Sequence, residues 1–180
     1  MKYLNLLINL ILHDKDLDKP PKELLNVPIV VNPRDCVPKD YIRNNIKANM
    51  KLIDNNKWLS KYPMNRKSAI VVSGGPYTDY TELHACIKNN PDKKVIAVKH
   101  SYPKLLEHGI KPWACIVLDP RPITGTSTHG VIRKDLFKTI DPTTKFFVAS
   151  MTDPSVTNHL IKQKADIWGW HAFTESLRDP

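Results

Sequence analysis

The stretch Ile70-Val-Val-Ser-Gly-Gly-Pro-Tyr-Thr-Asp79 decides the fold. An apolar β-type run, Ala69 to Val72, stops in a glycine pair and gives way to residues that favour a helix start near Thr78 or Asp79. The chain has only six glycines, and two of them are Gly74 and Gly75. Glycine there permits φ > 0 and close backbone approach to a ligand. A helix starting just beyond would turn its free N–H groups and positive dipole end toward the loop, which is the physical basis for holding a phosphate. The full G-x-G-x-x-G fingerprint is absent, so a tight strand-to-helix turn without a ligand is the competing reading.

Downstream of this stretch the chain alternates. Apolar runs at Ala69 to Ser73, Lys94 to Lys99, Ala114 to Asp119, Lys145 to Ser150 and Asp166 to His171 read as strands. Helical segments at about Asp79 to Asn89, Tyr102 to His108, Arg133 to Ile140 and Pro154 to Lys164 separate them. Strand and helix in alternation predict an α/β fold, a Rossmann-like three-layer sandwich with a mostly parallel sheet of at least five strands. The strands are nearly continuous in apolar residues, which predicts helices on both faces.

Upstream, five prolines between Lys19 and Lys39 break any long helix and define an irregular arm over residues 1–38, with a short strand at Ile29 to Val31. The rest, residues 39–180, reads as one globular domain. Leu4 to Leu12 is apolar, but Asn5 and Asn9 interrupt it and Asp14, Asp16 and Asp18 follow, so it reads as a packed element rather than a secretion signal. It is too short to span a bilayer. A helix fits Lys39 to Ser60, with Ile42, Ile46 and Ile53 on its apolar face, widened by Leu52, Trp58 and Leu59. Arg43, Lys47 and Lys51 form a basic stripe on another side, expected to face solvent or an anion.

The 180 residues, 41% of them hydrophobic, suffice for one domain with a proper core. A net charge of +9 and a pI near 9.4 favour anionic small molecules such as nucleotides. No motif for specific nucleic-acid binding accompanies the charge. Cys36, Cys86 and Cys115 are odd in number and widely spaced, which fits reduced thiols in a cytoplasmic protein. Neither C-x-x-C nor H-x-x-x-H pairs occur to suggest zinc. Homo-oligomerisation is left open, and no membrane partner is expected.

Ligands of open α/β sheets bind at the carboxyl ends of the strands, near the point where strand order reverses. All five predicted strands end in polar residues: Ser73-Gly74-Gly75, Lys99-His100-Ser101, Asp119-Pro-Arg121, Ser150-Met-Thr152-Asp153 and Trp170-His171. The expected cofactor-binding residues are Ser73, Gly74, Gly75, Pro76, Thr78, His100 and Arg121. Asp119, closing a strongly apolar strand, is expected to hold Mg²⁺ or a ribose hydroxyl and to take part in catalysis, while Arg121 clamps a phosphate. The alternative is an Asp-Pro turn with an internal Asp119–Arg121 pair. Thr124 to Gly130 is long enough for a flap.

Val71-Val-Ser-Gly-Gly-Pro-Tyr77, Val95-Ile-Ala-Val98, Leu105-Leu-Glu-His-Gly-Ile-Lys-Pro112 and Ile116-Val-Leu-Asp-Pro120 together resemble the 6-hydroxymethylpterin pyrophosphokinase-like family. That family also takes in motility accessory factors implicated in flagellin glycosylation, and its architecture resembles that of bacterial sialyltransferases. The resemblance covers roughly Ile42 to His171. It departs at the loop, where the family's Gly-x-Gly-Pro-Ser becomes Ser73-Gly-Gly-Pro-Tyr77. The family continues past the fifth strand into a Gly-Gly-Ser turn, a helix and another strand, so a chain ending at Pro180 is expected to be a fragment or a short form with an incomplete site.

The resemblance implies a nucleotide site (ATP, GTP or a CMP compound, with Mg²⁺) and group transfer. A pyrophosphokinase would transfer diphosphate from ATP to a pterin-like alcohol. A sialyltransferase-like enzyme would use a CMP-sugar, with His171 or His129 as general base. A non-catalytic nucleotide-binding module is the third reading. NAD-dependent oxidoreduction is weaker, since Lys99 and His100 stand where an acidic residue would close the second strand.

Overall fold

The computed structural model describes residues 37–63, 68–75, 78–125 and 133–172. Leu4 to Leu12, Ile29 to Val31, Cys36, Pro76, Tyr77 and His129 lie outside the described residues. Helix α1 spans Lys39–Leu52, α2 Tyr80–Asn89, α3 Ser101–Glu107 and α4 Pro154–Lys162. Strands β1 to β5 are Ala69–Val72, Lys94–Val98, Ala114–Val117, Lys145–Ala149 and Asp166–Trp170. Short 3₁₀ turns occupy Leu59–Lys61 and Arg133–Phe137.

The five strands form one sheet in the order β1-β2-β3-β4-β5, and every neighbouring pair is parallel. This is the Rossmann-like α/β class that the strand and helix alternation predicts. Each strand begins at the residue where its apolar run begins, because burial of the run and entry into the ladder start together. Strand order does not reverse among the described residues, so the crevice expected at a reversal point has no counterpart here.

Both faces carry helix, as the three-layer expectation has it, but unequally. Ile70, Val72, Val95, Ala97, Cys115, Val117, Phe146, Val148 and Ile167 join one core with Leu83 and Ile87 of α2, Tyr102 and Leu105 of α3, Leu136 and Phe137, and Val156 and Leu160 of α4. These strand residues share one parity, so the connecting helices cover one face. Right-handed crossovers that always step to the next strand put every helix on the same side. On the other face α1 packs Ile42 and Ile46 against Ala149, Met151 and Trp170 near the ends of β4 and β5, which supplies a partial third layer. Val71 remains 61% exposed on that second face.

α1 stops at Leu52, eight residues short of the expected Ser60, because Ile53 turns to extended geometry (ψ 130°) and buries itself in the main core. Trp58 forms a parallel bridge with Gly169, and Tyr62 then meets Trp113, Phe147 and Trp168 on the second face. The segment after α1 therefore wraps around the β5 edge. As expected, Ile42 and Ile53 are buried, while Lys47 and Lys51 are exposed.

The buried side of α1 is not wholly apolar: Asn45 and Asn49 lie on it. Asn45 donates to the carbonyls of Pro120 and Met151 at 3.1 and 3.2 Å, and Asn49 to those of Ser150 and Thr152 at 2.8 and 2.6 Å. Parallel strands leave loop carbonyls unpaired at their carboxyl edge, and these amides satisfy four of them. Asn49→Ala would strand two buried carbonyls. We expect it to lower unfolding free energy by about 2–3 kcal/mol, and Lys47→Ala to change it by less than about 0.5 kcal/mol, in urea titrations at neutral pH.

Candidate functional site at the carboxyl edge of the sheet

A parallel sheet brings all five strand ends to one edge, but the predicted residues there fall into two groups. Over β1 to β3 stand Ser73, Gly74, Gly75, Thr78, Lys99, His100, Asp119 and Arg121. Over β5 stands His171, which exchanges a hydrogen bond with Ser150 Oγ at 3.0 Å and stacks on Trp58 with centroids 4.6 Å apart. Two strand spacings, about 10 Å, separate β5 from β3. Asp153 and the asparagines of α1 stand between the two groups.

The first group is built around Asp119. Its side chain is 2% exposed and accepts from Lys99 Nζ at 2.5 Å and from Arg121 Nε at 2.9 Å and Nη2 at 3.3 Å. Burial alone would favour its protonated form, but the hydrogen bonds from Arg121 and Lys99 outweigh that and hold its carboxyl well below the usual carboxylate range. Lys99 is itself buried, at 8% exposure, with φ +24°. The internal Asp119–Arg121 pair of the alternative reading is therefore present, with a second cation added.

That arrangement bears on the metal assignment. Mg²⁺ takes hard oxygen ligands, and both Asp119 oxygens are engaged by cationic nitrogens. Among the described residues no group of three or more His, Cys, Asp or Glu side chains could hold a metal ion. The donor set does not fit a protein-held Mg²⁺ at Asp119. The carboxylate instead orients two cations.

The glycine turn has a different cause from the one its sequence suggests. Neither Gly74 nor Gly75 has positive φ. A Cβ on Gly74 would sit 2.9 Å from the Cβ of His100, so the glycine is required by close approach of β1 to the end of β2. A Cβ on Gly75 would meet nothing within 4 Å among the described residues. Asp79 caps α2 and accepts from the N–H groups of Thr81 and Glu82 at 2.8 and 3.1 Å. The N–H donors expected to face the loop are thus partly taken by a carboxylate of the chain itself. Pro76, placed at this loop by the sequence, lies outside the described residues. So do residues 126–130, most of the expected flap.

Three supports tie this edge together, two of which, Ser101 and Asp153, the sequence offers only as polar strand ends. Ser101 Oγ donates to Val72 O at 2.6 Å and accepts from Val98 N at 3.0 Å, tying the ends of β1 and β2. Asp153 accepts from Tyr41 Oη at 2.5 Å and from Ser155, and its own N–H donates to Asp119 O at 2.9 Å. That hydrogen bond to Asp153, with burial and the nearby charge, pushes Tyr41 up to about 12. The third is the Asn45 and Asn49 pair, whose i, i+4 spacing on an apolar helix face was the available signal.

Asp119 has a lowered folded pKa, so its stabilising contribution is complete above the unfolded value, about 3.9, and is lost as pH falls through the folded value. Asp119→Ala leaves Lys99 buried without its carboxylate. We expect a loss of about 3–5 kcal/mol at neutral pH, shrinking below about pH 4, from urea unfolding across a pH series.

Among curated proteins and among solved structures nothing matches the chain. A family model described as 6-hydroxymethylpterin diphosphokinase MptE-like matches residues 41–178, from the first turn of α1 past the end of β5. The matched span takes in the whole sheet, the Asp119 cluster and the asparagine supports, and on that match the chain belongs to the 6-hydroxymethylpterin diphosphokinase MptE-like family.

Proposed function

We propose that the chain binds a nucleotide through its phosphates at the carboxyl edge of β1 to β3 and serves a diphosphokinase-type group transfer. The observation that carries this reading is the Lys99–Asp119–Arg121 cluster beside the Gly74–His100 contact. It gathers a guanidinium, an ammonium and an imidazole at one corner of the edge, with one carboxylate fixing two of them. Arg121, whose side chain is 32% exposed, is the member best placed to reach a phosphate in solvent. The family match and the net charge of +9 favour the same ligand class.

In this reading an acceptor hydroxyl oxygen attacks the β-phosphorus of ATP. The new O–P bond forms as the bridge between the α- and β-phosphorus breaks, AMP departs, and the hydroxyl proton passes to a base. The cations stabilise charge on the transferred group, and Asp119 acts as a positioning residue rather than a ligand. His171, bonded to Ser150 and stacked on Trp58, stays outside the phosphate corner.

Calorimetry and thermal shift against ATP, GTP, CMP, CMP-sialic acid and NAD⁺, with and without Mg²⁺, test the proposal. ATP or GTP at a hundred times its Kd should stabilise the fold by about 2.7 kcal/mol. Arg121→Ala should weaken that binding by roughly 10–100-fold and His171→Ala should leave it unchanged. Binding of CMP compounds alone would replace the proposal with glycosyl transfer, and binding of NAD⁺ alone with oxidoreduction. Silence across the panel would refute it.

A further inference from the structure

The second face of the sheet holds a concavity of about 560 Å³, within the range of small-molecule sites. Its walls are aromatic: Tyr62, Trp113, Phe147 and Trp170. Tyr62 stands edge-on to Trp113 at 72° and to Phe147 at 77°, so the rings present faces and edges rather than a closed stack. Ile96 forms part of the floor. Lys94 lies on the rim at the amino end of β2, the opposite end of the strands from Asp119.

Two of the lysines near this amino end share one carboxylate. Asp166 accepts from Lys57 at 2.7 Å and Lys145 at 3.0 Å, and its carboxyl is held low by them against the cost of burial. Lys94 has no carboxylate partner among the described residues. An apolar aromatic cleft with the Lys94 ammonium at its mouth matches a ligand with a flat apolar body and a negative end.

We propose that this cleft is a second ligand site, separate from the carboxyl edge, for a planar aromatic carboxylate. The ring system lies among Tyr62, Trp113, Phe147 and Trp170, and the carboxylate meets Lys94. The proposal goes beyond the nucleotide reading and does not depend on it.

The test uses naphthoate as the probe and the full chain, with tryptophan fluorescence and calorimetry as readouts, since Trp113 and Trp170 belong to the wall. Saturable one-site binding is expected. Naphthalenemethanol should bind roughly two- to fivefold more weakly, and Lys94→Gln should abolish that preference for the acid. Ile96→Trp fills the floor and should weaken binding at least about tenfold. Ser68→Trp, at an exposed rim position, should do the same should the first variant fail to fold. Saturating ATP should not displace the probe. Absence of saturable binding, equal affinity for acid and alcohol, retained binding in the filled variants, or displacement by ATP each overturns the assignment.

Discussion

Every crossover in this sheet steps one strand in the same direction, and that constraint organises the rest of the described chain. A right-handed crossover repeated in one sense returns each helix to the same face. One face is consequently sealed by α2, α3, the 3₁₀ turn and α4, and its strand residues are almost all buried. The opposite face must find other cover. It gets α1 over the ends of β4 and β5, the wrapped segment around Tyr62 over the middle, and no described helix over β1 and β2. Val71 at 61% exposure and the aromatic cleft are both products of that asymmetry.

The same topology creates the carboxyl edge. Loops leaving parallel strands carry carbonyls that no neighbour can pair, and a buried carbonyl without a partner costs about as much as a lost hydrogen bond. Over β3 and β4 the asparagines of α1 meet that need, and Tyr41 and Ser155 lock Asp153 beneath them. Over β1 and β2 the need is met by Ser101. Charged groups concentrate at the corner between these supports, where Asp119 has two cations to offset its burial.

Several stretches that carry the family resemblance do structural work. In Leu105-Leu-Glu-His-Gly-Ile110 the chain ends α3 with Gly109 at φ +71°, Ile110 N–H bonded to Leu105 O at 2.8 Å and Gly109 N–H to Leu106 O at 3.0 Å. That is a Schellman stop, with Ile110 buried behind it. Gly74 likewise makes room for His100. Stretches of this kind fix how strands and helices join, and the chemistry is then decided by which polar groups the joins bring together.

Period and punctuation in the sequence determined which segments are strands and where each begins, because an apolar run must enter the ladder to be buried. They also determined that polar residues close every strand, and so that one edge would be polar. What only tertiary structure decided was pairing order, and with it which face lay open. Each strand is apolar on both sides, so its own composition holds no record of which side a helix will cover. Tertiary structure also split the edge. Asp119, Arg121 and His171 look equivalent as strand-end residues, but strand order put Asp119 between Lys99 and Arg121 and left His171 two strands away against Trp58. The physical reason is range: capping, turn chemistry and burial act within a few residues, whereas a buried charge is placed by partners such as Lys99, brought to Asp119 from a neighbouring strand.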